Sequence, residues 1–169
     1  MGLNVILFEP EIAENVGNII RSCVGFNATL HLIKPYGFFY SSTNPIFKRS
    51  SANYIDKIII KEYDCYDDFL KINNISSKNI FFITRYGQNT PEQCDFKMNK
   101  NIYIMFGKES TGINKEILKQ NLNMTVRIPS SANVRSLNVS NCVAIFAYEY
   151  AKQNNYEGLE ISEPHKKVF

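Results

Sequence analysis

The chain has 169 residues, of which 44% are hydrophobic and 21% are charged, and its net charge at pH 7 is +3. This composition is typical of one soluble globular domain with a full core, and it excludes a coiled coil or a low-complexity chain. The mild positive charge permits a nucleic-acid partner but does not require one.

Cysteine and histidine usage argues against a metal or disulfide framework. The four cysteines are far apart, no Cys-x-x-Cys pair occurs, and there are two histidines. We therefore expect neither structural zinc nor disulfides. No segment approaches a membrane-spanning run of apolar residues, and the N-terminus does not resemble a secretion signal. We predict a cytoplasmic protein with no metal and no membrane contact.

Short apolar runs alternate with amphipathic segments along the chain. The predicted strands cover residues 3–8, 29–33, 55–60, 79–84, 101–106 and 124–128. Helices are predicted after Pro10, over residues 63–72 and 114–121, and in the stretch that ends at Gln153. This alternation predicts an α/β fold with a mostly parallel sheet flanked by helices. We expect a single domain over residues 1–154 and a solvated tail over residues 155–169.

The start of the last helix is unusually polar. Either Ser136 or Asn138 is suited to cap the helix, and a cap needs only one such residue. Ser140 and Asn141 follow directly, and Arg135 precedes them. Helix starts that follow a strand commonly hold ligands in α/β proteins, so this surplus of polar residues indicates a binding site.

Three loops are predicted to follow strands at the same edge of the sheet. They cover residues 84–87, 107–112 and 128–138. Parallel sheets bind small ligands at this edge, and the loops offer backbone donors, glycines and apolar side chains. We expect a flat heterocycle with a polar tail to bind there. A Cβ atom on Gly107 would either forbid the backbone conformation of this turn or intrude on the ligand.

Several common enzyme motifs are absent. Ile102 occupies the position of the first glycine of a Walker A loop, and Glu109 separates the lysine from the serine. No Gly-x-Gly-x-x-Gly and no Gly-x-Ser-x-Gly motif occurs. His31 lies inside a predicted strand and His165 in the tail, so both are poor candidates for a catalytic triad.

Three ordered motifs carry a resemblance to a known family. They are Asn15-x-Gly17-Asn18-x-x-Arg21, Phe106-Gly107-x-Glu109-x-x-Gly112, and Arg135-Ser136-Leu137-Asn138-Val139-Ser140-Asn141 after Ile128-Pro129. Together they resemble the motifs of the SPOUT superfamily of RNA 2′-O-ribose methyltransferases. The short chain, the Glu9-Pro10-Glu11-Ile12 opening and Tyr148-Glu149 resemble its small wobble-position type, which methylates cytidine or uridine 34 of tRNA.

The resemblance implies a function and an architecture. The implied reaction transfers a methyl group from S-adenosylmethionine to the ribose 2′-hydroxyl of nucleotide 34 in leucine tRNAs. The implied architecture is a homodimer with its active site at the subunit interface, and a C-terminal trefoil knot in which the last strand and helix thread through a loop. The alternatives are another tRNA or rRNA position, or a catalytically idle RNA-binding module on the same fold.

The resemblance also assigns roles to residues. It implies catalytic or supporting roles for Arg21, Asn15 and Tyr148. We expect Arg21 to grip a phosphate and orient the hydroxyl, with general-base service only in a special environment and a structural ion pair as the alternative role. It implies that the cofactor is bound by Ile83, Thr84, Gly107, Glu109, Ile128, Ser136, Leu137 and Asn141. It implies that Arg135 contacts RNA. Lys48 and Arg49 either contact RNA phosphates or are simply solvated, and Glu109 could instead cap its helix.

Overall fold

The computed structural model describes residues 2–41, 44–97 and 99–164. The strands are β1 (Gly2–Phe8), β2 (Thr29–Ile33), β3 (Ile60–Tyr63), β4 (Ile80–Ile83), β5 (Asn101–Phe106) and β6 (Thr125–Val126). The helices are α1 (Ala13–Gly25), α2 (Pro45–Ser50), α3 (Tyr66–Asn73), α4 (Lys115–Gln120) and α5 (Val139–Gln153).

The strands form one six-stranded sheet in the order β3-β2-β1-β5-β4-β6. Every pairing within it is parallel. The predicted α/β fold with a mostly parallel, helix-flanked sheet is therefore confirmed. Because all strands run the same way, their carboxyl ends meet at one edge, which is where the three predicted loops begin.

The two central strands, β1 and β5, are apolar along most of their length because both faces of the sheet are covered. Ile104 and Phe106 contribute to the core on one face, and Tyr103 and Met105 to the core on the other. The first core includes the buried stripes of α1 and α5, and the second includes residues of α3 and α4. Near-continuous apolar runs are the expected pattern for strands buried on both sides.

The predicted strand over residues 55–60 is wrong. Residues Tyr54–Lys57 form a 3-10 helix, and β3 begins only at Ile60. Asn53 has a positive φ of 65°, which turns the chain before the apolar run begins. Ile55 packs into the core, whereas Ile59 is 64% exposed, so this run does not present one apolar face to the sheet.

Other boundaries also differ from the prediction. The polar segment around Lys48 contains the short helix α2, whose N-cap residue Asn44 accepts a hydrogen bond from the backbone of Ile46 at 3.0 Å. The third helix begins at Tyr66, because Tyr63 belongs to β3. The last strand, predicted over residues 124–128, consists of two residues, since the chain leaves the sheet after Val126 to form a wall of the site described below.

The segment around β6 is hydrogen-bonded on both sides. Toward β4, the backbone NH of Thr84 donates to the carbonyl of Val126 at 3.0 Å. Toward the other side, the backbone NH of Arg127 donates to the carbonyl of Asn89 at 2.8 Å. Gly87 lies so close that an added Cβ atom would stand 2.2 Å from the carbonyl carbon of Val126. The loop after β4 therefore folds back along the chain where it leaves the sheet.

The end of α5 packs against this same region and the start of the tail. The side chain of Gln153 accepts a hydrogen bond from the backbone of Phe96 at 3.0 Å. Beyond the helix, the hydroxyl of Tyr156 lies 3.1 Å from that of Tyr148. Residues 160–164 are exposed, and residues 165–169, including His165, lie outside the described part of the chain. The division at residue 154 stays a prediction.

Candidate active site

A cavity of about 390 Å³ opens at the carboxyl edge of the sheet. Its walls come from the ends of β4 and β5, the segment after β6, and the start of α5. The first turn of α1 completes the wall through Ile12 and Asn15. The three loops predicted from the sequence thus converge on one cavity, as the parallel sheet requires.

The cavity brings together most of the predicted site residues. Those that line it are Asn15, Ile83, Thr84, Gly107, Glu109, Ile128, Arg135, Ser136 and Leu137. The residues that the structure does not bring to this cavity are Arg21, Lys48, Arg49, Asn141 and Tyr148, and all of them are exposed. Arg21 follows Asn15 by nearly two helical turns, which carries it away from the cavity along α1.

The loop after β5 is closed tightly around two glycines. The backbone NH of Gly112 donates to the carbonyl of Lys108 at 2.9 Å, and Gly112 has a φ of 77°, which favours glycine. A Cβ atom on Gly107 would lie 2.2 Å from the carbonyl carbon of Gly112 and from the nitrogen of Ile113. Only glycine permits this approach, and the bare backbone of Gly107 then faces the cavity.

A chain of hydrogen bonds joins the three sequence motifs beside the cavity. Asn15 Nδ2 donates to Glu109 Oε1 at 2.8 Å, and Asn138 Nδ2 donates to Asn15 Oδ1 at 3.0 Å. Asn138 Oδ1 in turn accepts from the backbone of Ser140 at 2.8 Å, which caps α5. Asn15 is 6% exposed, so it is a buried polar connector between two helices and a loop.

Glu109 does not cap the helix that follows it. Its second oxygen, Oε2, accepts from the backbone NH of Glu11 at 2.9 Å, and Asn114 caps α4 instead. The alternative in which Glu109 is only a helix cap is therefore wrong. Its carboxylate holds the loop after β1, α1 and the loop after β5 in one arrangement.

Comparison with known proteins agrees with this arrangement. The pattern of the SpoU rRNA Methylase family matches residues 2–148. The chain belongs to this family. A curated relative from Mycoplasma genitalium is 41% identical over 160 residues, covering 94% of this chain and 95% of its own length. The assigned name of that relative is tRNA (cytidine(34)-2′-O)-methyltransferase.

Two solved structures resemble this SpoU methylase closely. The crystal structure of a Bacillus anthracis protein described as an RNA methyltransferase is 36% identical, with a TM-score of 0.87, and the match covers 96% of this chain and 100% of that one. A second, described as giving structural insights into the 2-OH methylation of C/U34 on tRNA, is 29% identical, with a TM-score of 0.81. That match covers 92% of this chain and 97% of the other.

The mouth of the cavity in this SpoU methylase carries arginines beyond the predicted Arg135. Arg85 and Arg127 also line it, and Arg127 Nη1 donates to the carbonyl of Arg85 at 3.1 Å. The Arg85 guanidinium lies 4.5 Å from the ring centroid of Tyr86, which is 63% exposed. Sequence reasoning selected the 84–87 loop but not these side chains. Their position directly after strand ends was the available signal.

The loop after β1 is attached to the loop after β5 by two acidic residues. Glu9 pairs with Lys108, with 2.7 Å between Oε2 and Nζ. Glu11 accepts from the hydroxyl of Ser110 at 2.7 Å and from its backbone NH at 2.8 Å. These hydrogen bonds from Ser110 lower the pKa of Glu11, and the hydrogen bond to Glu9 raises the pKa of Lys108. Both contacts favour the charged forms at neutral pH.

Cys142 lines the cavity from the first turns of α5. Burial raises the pKa of its thiol to about 11, so the reactive thiolate is scarce at neutral pH. This thiol is an apolar part of the cavity wall. Among the residues that the structure describes, no group of histidine, cysteine and acidic side chains is arranged to hold a metal ion. No helix in the same ranges is long and apolar enough to span a membrane.

Proposed function

We propose that this protein is an S-adenosylmethionine-dependent tRNA methyltransferase acting in the cytoplasm. It methylates the ribose 2′-hydroxyl of wobble nucleotide 34, a cytidine or modified uridine, in leucine tRNAs. The observation that carries this proposal is the single cavity into which all three motif segments converge. The similarity to a full-length relative named for cytidine 34 supports the choice of nucleotide.

The cavity suits the proposed cofactor in size and chemistry. A volume of about 390 Å³ lies in the range of pockets that hold molecules of this class. Ile83, Ile128 and Leu137 offer apolar walls for a flat heterocycle, and Gly107 offers bare backbone that can hydrogen-bond to its edge. When bound, S-adenosylmethionine supplies a methyl group already activated by a sulfonium. The protein then has to bind the cofactor, orient it toward the ribose hydroxyl and exclude water.

Different polar residues bind phosphate, support the loops and orient the substrate. Arg85, Arg127 and Arg135 give the cavity mouth a positive charge suited to RNA phosphates. Glu109 and Asn15 hold the loops in place rather than reaching freely into the cavity. Arg21 grips a phosphate beside the reacting ribose and orients its hydroxyl, because a guanidinium stays protonated at neutral pH and is a poor proton acceptor.

A homodimer supplies Arg21 to the site. Within one chain Arg21 lies outside the cavity and is exposed, which supports a role at the cavity of a second copy. Apolar side chains beside the cavity and on α5 are also exposed, including Leu137 at 37%, Ile145 at 39% and Tyr148 at 52%. A second chain seated on this face buries them and brings Arg21 of the partner subunit to the cavity mouth.

We also propose that the chain forms the trefoil knot that the family resemblance implies. The hydrogen bonds of residues 125–127 to Thr84 on one side and to Asn89 on the other support it. The contact of Phe96 with Gln153 at the end of α5 supports it too. In this arrangement the knot holds the cavity walls together without a disulfide.

Mass spectrometry of tRNA from cells that lack the protein tests the proposal. The ribose methyl at nucleotide 34 of leucine tRNAs should disappear, and other ribose methyls should remain. An unchanged methyl inventory at nucleotide 34 contradicts the nucleotide assignment. Calorimetric titration with S-adenosylhomocysteine separates this outcome from an idle RNA-binding module, which binds tRNA but not the cofactor product.

A further inference from the structure

The segment that follows β2 has aromatic residues on both of its faces. Tyr36, Phe38 and Tyr40 are half-buried, whereas Phe39 between them is 82% exposed. The ring of Phe38 lies 5.5 Å from that of Phe47, and the ring of Tyr40 lies 5.3 Å from it. The rings on either side of Phe39 pack inward on Phe47, and the ring of Phe39 itself faces solvent.

The segment is held firmly against the rest of the protein. The backbone NH of Gly37 donates to the carbonyl of Pro10 at 2.9 Å. A Cβ atom on Gly37 would lie 2.6 Å from the carbonyl oxygen of Glu11. Phe47, on which the inward rings pack, is completely buried. The exposed ring of Phe39 is thus carried by a supported backbone, two residues from this contact.

The same contact joins the aromatic segment to the candidate active site. Glu11, against which Gly37 packs, donates its backbone NH to Glu109 at 2.9 Å and accepts from Ser110. The loop after β1 therefore lies between the cavity wall and the aromatic segment. Phe39 follows Gly37 by two residues, so the exposed ring is joined to the cavity wall through this loop.

Positive charge lies beside the exposed ring. Lys48 and Arg49 directly follow Phe47 on α2 and are both exposed. Within the described ranges neither forms an ion pair with an acidic residue. Lys57 lies 5.4 Å from the ring centroid of Tyr54, which adds another cation with an aromatic partner on the following 3-10 helix. Exposed aromatic rings among unpaired cations are the recognition chemistry of single-stranded nucleic acid.

We propose that Phe39 is a base-stacking residue for the tRNA substrate. A base of the anticodon loop next to nucleotide 34 stacks on its ring, while Lys48 and Arg49 contact the flanking phosphates. Loop bases are available for this because they are unpaired and can be splayed out of the stack. This inference rests on the proposed function and extends it, since it names the element that reads the neighbouring part of the anticodon loop.

A single tryptophan tests the stacking directly. The chain contains no tryptophan, so Phe39→Trp introduces one fluorophore at the proposed contact. Adding tRNA should quench its fluorescence, because a stacked base quenches indole. Ile72→Trp, at a position on α3 that is 69% exposed, is the matched control and should respond little. Quenching at neither position, while the wild-type enzyme methylates tRNA, overturns the inference and leaves the proposed function intact.

Steady-state kinetics give a second readout, which would not change if Phe39 had only a structural role. Phe39→Ala should raise the KM for tRNA by about tenfold, the loss expected for one base–aromatic stack. Its kcat and its affinity for S-adenosylhomocysteine should stay unchanged, and Phe39→Tyr should retain most of the affinity. An unchanged KM overturns the inference. The inference is also overturned if the fluorescence of Phe39→Trp varies with protein concentration in the absence of RNA, since Phe39 then contacts a second copy. If the wild-type protein binds no tRNA, the proposed function fails first.

Discussion

Asn15 on α1 donates a hydrogen bond from Nδ2 to Oε1 of Glu109 at 2.8 Å, across 94 residues of sequence. This contact ties the first helix to the loop that follows β5. The other carboxylate oxygen of Glu109 holds the backbone of Glu11. One side chain therefore sets the relative position of three segments, two of which line the cavity through Asn15 and Glu109.

Replacing Glu109 with alanine should destabilise the protein and weaken cofactor binding together. The substitution leaves the amide of Asn15 and the backbone NH of Glu11 without their acceptor, at a cost of about 1–3 kcal/mol in the free energy of unfolding. Urea denaturation measures this cost, and calorimetry with S-adenosylhomocysteine measures the affinity. Glu116→Ala is the control, because its pair with Lys119 is on the surface. Equal effects of the two variants would refute this role.

Gly107→Ala should abolish cofactor binding. Its methyl group would overlap the backbone of Gly112 and Ile113, and neither neighbour can rotate away as a side chain could. Overpacking of this kind costs about 1–3 kcal/mol of stability and pushes the loop into the cavity. Gly25→Ala is the matched control, since nothing lies within 4 Å of its added Cβ and alanine favours a helix. Calorimetry showing wild-type affinity for Gly107→Ala would contradict the cavity as the cofactor site.

Mixing two inactive variants tests whether Arg21 acts across a dimer. Arg21→Ala keeps an intact cavity, and Gly107→Ala keeps an intact Arg21. If Arg21 serves the partner's cavity, co-refolded mixtures should recover about a quarter of wild-type methylation, since half of random dimers are mixed and one of their two sites is complete. Each variant alone should stay inactive in the same methyl-transfer assay. Mixtures that remain inactive would mean that Arg21 serves its own cavity.

The strands inside the sheet were predictable because their residues face apolar neighbours on both sides of the sheet. β2 and β5 begin and end where the apolar runs do. The 3-10 helix that replaces the strand predicted at residues 55–60 was not predictable. The left-handed turn at Asn53 and the burial of Ile55 in the core depend on tertiary packing. Apolar content alone could not distinguish a 3-10 turn from a strand there.

The position of the site was predictable, but the hydrogen bonds within it were not. Parallel strands bring the three loops to one edge, so Gly107 and Leu137 had to lie near each other. The link between Asn15 and Asn138 joins residues that are 123 positions apart, and no local pattern signals it. Arg21 shows the remaining difficulty, because its motif places it close to Asn15 in sequence, whereas the folded chain leaves it outside the cavity.

The buried histidine should make stability depend on pH. His31 accepts from the hydroxyl of Tyr63 at 2.8 Å and donates to Asn4 at 3.0 Å, and burial lowers its pKa from 6.5 to about 4. The folded state therefore disfavours the protonated ring. The stability that comes from keeping His31 neutral is fully present above pH 6.5 and is lost as the pH falls toward 4. The loss in the free energy of unfolding is about 3 kcal/mol in total.

Urea denaturation at a series of pH values between 4 and 7 measures this contribution. His31→Asn removes the titrating group, so its stability should vary less over this pH range, although it should be lower at pH 7. A wild-type curve and a His31→Asn curve with the same slope between pH 6.5 and 4 would show that other groups cause the loss.

Cysteine labelling should report the state of the cavity wall. Cys65 is exposed, whereas burial raises the pKa of Cys142 to about 11 and that of Cys94 to about 12. At neutral pH an alkylating reagent should modify Cys65 first, because the thiolate is the reactive species. Bound S-adenosylhomocysteine should slow the modification of Cys142 further, with no effect on Cys65. Peptide mass spectrometry measures both rates, and equal rates would refute the burial of Cys142.

The most direct test of the central claim is methyl transfer by the purified protein to a leucine tRNA, mapped by nuclease digestion and mass spectrometry. We predict one new ribose methyl at nucleotide 34 in the presence of S-adenosylmethionine, and none when that nucleotide carries a 2′-deoxyribose. Methylation at another nucleotide, or a methyl group that still appears on the 2′-deoxy substrate, would contradict the account.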